Sequence, residues 1–152
     1  MSKIKSFKGK LVHGEQDTIH LSGGDAETGY RIHRFDLMQT DPSEQPENAV
    51  KIYSVKQTSV DGNVDFSDDT LLAAGMIWSS TNQIYPHDKQ IVFDQDIFNQ
   101  DIYITNFDEQ FAAGAVNYYL ELEEVKMSNP EAAVVNYKAA LLHGEWAQQF
   151  TT

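Results

Sequence analysis

The sequence predicts an all-β chain: an antiparallel β-sandwich followed by one short C-terminal helix. Three observations carry that expectation. Turn-forming pairs recur at short intervals, at His13-Gly14, Gly23-Gly24, Thr28-Gly29, Asp41-Pro42, Asp61-Gly62, Tyr85-Pro86 and Asn129-Pro130. The runs between them are short and rich in β-branched and aromatic residues, as in a sandwich or barrel and unlike alternating strand–helix units. A chain of 152 residues with 41% hydrophobic and 22% charged residues also suits one globular domain with its own core.

Taken in order, Lys8 to Val12 and Thr18 to Ser22 are expected to form an opening hairpin. In Tyr30–Met38 the apolar phase changes between Ile32 and Phe35, which predicts a bulge or a strand passing between sheets. Val50 and Ile52 alternate with Lys51 and Tyr53. Leu71–Trp78 is a continuous apolar run, and Gly75 in its middle with Ile77 and Trp78 after it favours strand over helix. Ile91-Val92-Phe93 precedes Ile102 and Ile104, which share a face. The clearest strand is Val116–Leu122: Val116, Tyr118, Leu120 and Leu122 lie on one face, and Asn117, Tyr119, Glu121 and Glu123 on the other. From Pro130 to Leu142 a helix is expected, with Asn129 as cap, Pro130 in the first turn, Glu131 at the positive end and Gly144 as terminator. Asp41–Asn48 and Asp61–Asp69 are expected to be mobile loops.

Charge divides the chain unevenly. Lys3, Lys5, Lys8 and Lys10 lie in the first ten residues, which contain no acid. Beyond them, 7 basic residues face 23 acids, a balance of −16 within an overall −12. This predicts three parts: a basic arm over 1–10, a β-sandwich domain over 11–143 and a tail over 144–152. A short cationic segment beside an acidic body suits docking on an acidic surface, a sister subunit included. The acidic balance argues against nucleic-acid binding, which needs clustered Lys and Arg to neutralise phosphates. No apolar run approaches the ~20 residues of a spanning helix, and no signal-peptide h-region is present, so a soluble chain with no membrane partner is expected. The absence of cysteine removes disulfides, thiol nucleophiles and thiolate metal sites.

Few residues suggest chemistry. Asp61, Asn63 and Asp65 match the opening of a calcium loop, but Phe66 stands where that loop needs glycine and Leu72 where it needs glutamate. A polar Asp-Gly turn accounts for the segment more simply. His13, Glu15, His20 and His33 could share a sheet, yet their spacing fits no zinc or iron pattern. No nucleophile elbow, P-loop or dinucleotide fingerprint is present, so no enzyme, cofactor or catalytic residue is expected. Contacts are the better expectation. Tyr119 falls on an outward face, and Trp146 and Phe150 sit in a tail where a lone domain gains little from large apolar groups. The expected docking residues are therefore Lys3, Lys5, Lys8, Lys10, Tyr119, Trp146 and Phe150.

The ordered runs KGKLVHGEQDTIHLS, TGYRIHRFDLM, VKIYSV, DFSDDTLLAAG and IFNQDIYIT…NYYLELEEVK resemble a family of small uncharacterised virion structural proteins of marine tailed bacteriophages. The likeness runs from Lys8 to about Leu142 and rests on strand and turn texture. It implies a sandwich of jelly-roll character and a capsid-associated role of decoration, cement or minor capsid type. Its partners would be the major capsid protein or other virion proteins. A homo-oligomer such as a trimer, assembled in the host cytoplasm and carried in the virion, would follow. The alternative is a carbohydrate- or receptor-binding module of a phage tail or fibre, a role that jelly rolls also serve.

Overall fold

Alternation of apolar and polar residues gives most strands one face to bury, and among the described residues eight strands meet that need in two stacked sheets. The computed structural model describes residues 3–21, 27–41, 47–78, 88–110 and 115–142. In order they form β1 (Lys3–Leu11), β2 (Gln16–Ile19), β3 (Thr28–Gln39), β4 (Glu47–Tyr53), β5 (Leu71–Trp78), β6 (Asp88–Phe93), β7 (Ile102–Asp108), β8 (Val116–Lys126) and helix α1 (Asn129–Leu142). Sheet A has the order β1-β8-β3 and sheet B the order β2-β7-β4-β5-β6, with every pairing antiparallel. The expected all-β sandwich with a short C-terminal helix is what forms.

The pairing has a simple rule. β1 pairs with β8, β2 with β7 and β4 with β5, so the chain is one long hairpin folded over on itself, the jelly-roll arrangement. β6 departs from it. Instead of laddering with β3, it extends sheet B beyond β5, and Lys89 reaches back to Asp36 on β3.

Between the sheets, Leu11, Ile32, Phe35, Leu37, Leu120 and Leu122 of sheet A meet Val50, Ile52, Ile77, Ile102 and Ile104 of sheet B. Full burial of each large aliphatic side chain contributes roughly 1.5–3 kcal/mol. The predicted phase change in β3 is a bulge, where the register with β8 shifts between Ile32 and Arg34.

Two expectations are corrected here. Residues 3–10 do not form an arm outside the sandwich: they are β1, laddered along its whole length to β8. An edge strand is also where lysines commonly sit, because charge discourages further strand pairing. Nor do β1 and β2 make a hairpin, since they belong to opposite sheets. The chain crosses between sheets at Gly14, whose φ of 82° suits glycine. Asn106 pins this crossing. Its backbone N–H donates to Glu15 O (3.1 Å), its carbonyl accepts from Gly14 N–H (2.8 Å), and its buried Nδ2 donates to Leu11 O (3.0 Å). Asn48 Nδ2 donates in turn to Asn106 Oδ1 (2.9 Å).

Helix α1 begins one residue earlier than expected, and Ser128, not Asn129, caps it. The Glu131 N–H faces Ser128 Oγ (3.5 Å) and the Ser128 N–H faces Glu131 Oε1 (3.4 Å), a reciprocal capping box, and the Ser128 hydroxyl also donates to Glu131 Oε1 (2.8 Å). Ser128→Ala should cost about 1 kcal/mol of local helix stability. Hydrogen exchange should then quicken at Glu131 and Ala132 while the strand amides stay protected. Unchanged exchange at those two amides would contradict the cap.

Candidate functional site

Directly paired residues in a sheet share a face, so the registers define the outer surface of sheet A. β8 is the middle strand and supplies Asn117, Tyr119, Glu121 and Glu123. β1 sets Lys10 opposite Asn117, Lys8 opposite Tyr119 and Ser6 opposite Glu121. From β3 come Arg34, Asp36 and Met38, with Asp36 opposite Tyr119 and Met38 opposite Asn117. The bulge matters here, because it sets both His33 and Arg34 against Glu121 and leaves both exposed.

At the Asn117–Tyr119 end these strands enclose an open groove of about 620 Å³, within the range of ligand sites. Asn117 and Tyr119 form its floor, Lys8 and Lys10 one wall, and Arg34 and Met38 the other. The Arg34 guanidinium lies 5.3 Å from the centre of the Tyr119 ring. Tyr119 donates its hydroxyl to Glu121 Oε2 (2.9 Å), and that carboxylate pushes the phenol pKa up. Met38 is 72% exposed, a large apolar side chain standing in solvent at the rim.

Charge along this face is zoned. Toward the far end of β8, Arg31 Nε donates to Glu123 (2.8 Å) and His33 Nε2 lies 4.0 Å from Glu121, while in the other phase of the strand Lys5 Nζ lies 4.0 Å from Glu124. In the groove the single acid, Asp36, is shared between Lys89 and Arg34. Burial alone would raise its pKa, but hydrogen bonds from Lys89, the Leu37 N–H and Arg34 hold it below the usual carboxylate range. Lys8 and Lys10 have no acidic partner among the described residues. Beneath the floor, on the inner face, Tyr118 directs its hydroxyl at Asp17 Oδ2 (3.4 Å). Burial, reinforced by that carboxylate, pushes its pKa up to about 12.

Three of the expected docking residues, Lys8, Lys10 and Tyr119, therefore meet in one place. Lys3 and Lys5 follow the other phase of β1, with Lys5 lying 5.4 Å from the centre of the Tyr30 ring. Trp146 and Phe150 lie outside the described residues. Arg34, Asn117 and Met38 were not anticipated. The signal for Arg34 was the predicted bulge beside it, which puts two consecutive side chains on one face.

The calcium candidates Asp61, Asn63 and Asp65 take a different role. Lys51, only 2% exposed, extends its ammonium to Asp61 Oδ1 (2.8 Å) and the Asn63 carbonyl (2.6 Å). A cation built into the chain thus occupies the first carboxylate of the candidate calcium loop, and Ser67 bonds the Asp65 carboxylate. Asp61, Asp65 and Asp68 each accept a backbone N–H two residues on, so the expected mobile loop is a string of bonded Asx turns. Of the other expected loop, 42–46 lie outside the described residues.

The candidate histidines His13, His20 and His33 do not converge. His13 Nδ1 accepts from the Asp108 N–H (3.0 Å), His20 Nδ1 lies 3.3 Å from Asp101, and His33 stands on sheet A. Glu15 accepts from the Val12 N–H. Among the described residues, no group of three or more His, Asp or Glu side chains could hold a metal ion.

A scan against protein-family models finds no match to this chain, and a search of the curated proteins finds none either.

Proposed function

We propose that this chain is a capsid-associated structural protein of a tailed-bacteriophage virion, of decoration, cement or minor capsid type. It self-associates and docks on neighbouring coat subunits, and its role lies in contacts instead of catalysis. The carrying observation is the groove on sheet A. There a chain of net charge −12 gathers Lys8, Lys10, Arg34 and Tyr119 around one already neutralised acid. Resemblance to virion proteins over Lys8–Leu142 and the jelly-roll strand order support the same reading. Helix α1 adds an exposed stripe at i, i+3 and i+7, formed by Val134, Tyr137 and Leu141. That stripe is a second contact surface, suited to self-association.

The test is mass spectrometry of gradient-purified particles of the phage that encodes the chain, with light scattering of the purified protein. A virion component is present at a fixed number of copies per particle and forms a defined oligomer. Absence from particles, with a monomer in solution, defeats the proposal. Truncating residues 1–10 is a poor probe, because it deletes a full strand of sheet A.

A second reading, a carbohydrate- or receptor-binding module of a tail or fibre, draws on the groove's volume and aromatic floor. Against it, Arg34 lies over the Tyr119 ring that a sugar would stack on. Specific binding on a glycan array, without the chain in capsid shells, would favour this reading.

A further inference from the structure

We propose that the sheet A groove receives an extended, acidic segment of a partner protein, with carboxylates at alternate positions. The inference rests on the docking reading only in taking the occupant to be a protein. The walls define what fits.

Charge comes first. The chain carries 23 acids against 11 Lys and Arg, so a patch that gathers cations without acids stands apart from the rest of the chain. Arg31, Arg34, Lys51, Lys89 and Lys138 each meet an acid within 3.5 Å. Lys8 and Lys10 do not, although they stand side by side on one face of one strand. The acid nearest in register to Lys8 across the groove, Asp36, is already held by Lys89 and Arg34. The groove thus offers two uncommitted ammonium groups, and its one lining carboxylate, Asp36, is already paired.

Spacing comes second. Lys8 and Lys10 are two residues apart on a strand, so their Cα atoms repeat at about 6.7 Å. Alternate side chains of a second extended chain repeat at the same distance. Carboxylates at i and i+2 of such a segment therefore meet the two lysines in step. A helix places i and i+2 on different faces and cannot do so. The groove's other wall is Met38 with the Arg34 guanidinium, which suits an uncharged side chain such as threonine between the acids. Charge complementarity of this kind sets register and encounter rate, and salt screens it.

The probe is a fluorescent heptapeptide of alternating glutamate and threonine, followed by anisotropy at low salt. Its comparison is the same composition with the glutamates in one block. The alternating peptide should bind, more tightly than the block peptide and less tightly as salt rises. Lys8→Glu with Lys10→Glu should weaken it by about tenfold or more. Lys8→Gln with Lys10→Gln, a milder change on an edge strand, should weaken it in the same direction with an unaltered urea unfolding curve. Lys56→Glu with Lys126→Glu, which reverses two exposed lysines away from the groove, should change nothing.

No binding, no preference between the two peptides, or equal loss in the Lys56/Lys126 control overturns the proposal. So does tighter binding of a single-stranded DNA or a sulfated dextran at the same variant-sensitive site. If the Lys8/Lys10 variant loses the peptide yet joins purified shells as the native chain does, the groove is not the docking site and the virion reading survives. Peptide binding by a chain absent from the particles gives the reverse result: the groove assignment stands and the virion reading falls.

Discussion

Lys51→Ala is expected to lower the stability of the fold by about 3 kcal/mol, read from urea unfolding at constant slope. Lys51 sits on β4, the middle strand of sheet B, on the face opposite Val50 and Ile52. The 54–70 segment covers it, with Lys51 bonded to Asp61 and Asn63 and 5.4 Å from the centre of the Tyr53 ring. Alanine removes both the packed stem and the donor that satisfies the Asn63 carbonyl. Lys51→Met keeps the stem, so about half of the loss should return. Asp61→Asn should cost under about 1 kcal/mol, because the Asp61 side chain is 58% exposed and screened by water. The order Ala, then Met, then Asp61→Asn is the test. A Lys51→Met chain as stable as the native one would mean that the ammonium contributes nothing.

The same clamp has a pH signature. Burial by itself lowers the Lys51 pKa, but hydrogen bonding to Asp61 and Tyr53 outweighs it and holds the value above the ordinary one. The Lys51 ammonium in turn holds Asp61 below the usual carboxylate range. A depressed acid contributes stability above its unfolded pKa and loses it as pH falls through the folded value. A raised lysine contributes below its unfolded pKa and loses it as pH rises through the folded value. The clamp should therefore be fully present between about pH 4 and 10.5 and weaken on either side. In the Lys51→Met chain this dependence should flatten.

Gly75→Val should cost about 3 kcal/mol through overpacking. Gly75 lies on the inner face of β5, paired with Val50 on one side and Ile91 on the other, so its backbone cannot retreat. A Cβ there would stand 2.6 Å from Leu37 Cδ1 and 3.4 Å from Phe35 Cε2 of the opposite sheet. Leu37 is itself buried in the core. The decisive measurement is a double-mutant cycle between Gly75→Ala and Leu37→Ala. Each single change should destabilise, and the pair should cost less than the two combined, because the shortened side chain vacates the space the methyl needs. Strict additivity would mean that the sheets do not meet at this point.

The strands were largely legible. In β8, β7 and β4 the period-two pattern marked the inward residues, and the phase break in β3 marked its bulge to within a residue. The helix was legible too, although its cap was assigned to Asn129 when the S-x-x-E pattern of Ser128 and Glu131 was present in the chain. Half of the groove could be named in advance, since Lys8, Lys10 and Tyr119 each stood out by charge or by phase. Their meeting could not be read. Lys8 and Tyr119 are 111 residues apart in the chain, and alternation says which way a side chain points without saying which strand lies beside it.

Lys51 was hidden for a related reason. Beside Val50 and Ile52 it looked like the polar half of an ordinary alternation, with its ammonium in water. Only the fold of 54–70 back over sheet B buries it, and that depends on a partner, Asp61, whose own signal pointed to a metal loop. The β1–β2 crossing was misread because neighbouring strands usually pair, whereas a jelly roll pairs its first strand with its last.

By itself, the order of residues determined the elements: strand periodicity, bulge, helix and the gathering of lysines at one end are local properties written in adjacent positions. The tertiary structure alone decided the neighbours, and with them the groove, the Lys51 clamp and the closeness of Gly75 to Leu37. The reason is physical. Local conformation is set by short-range sterics and by which face must leave water, while pairing between distant strands is chosen by the packing of the whole core.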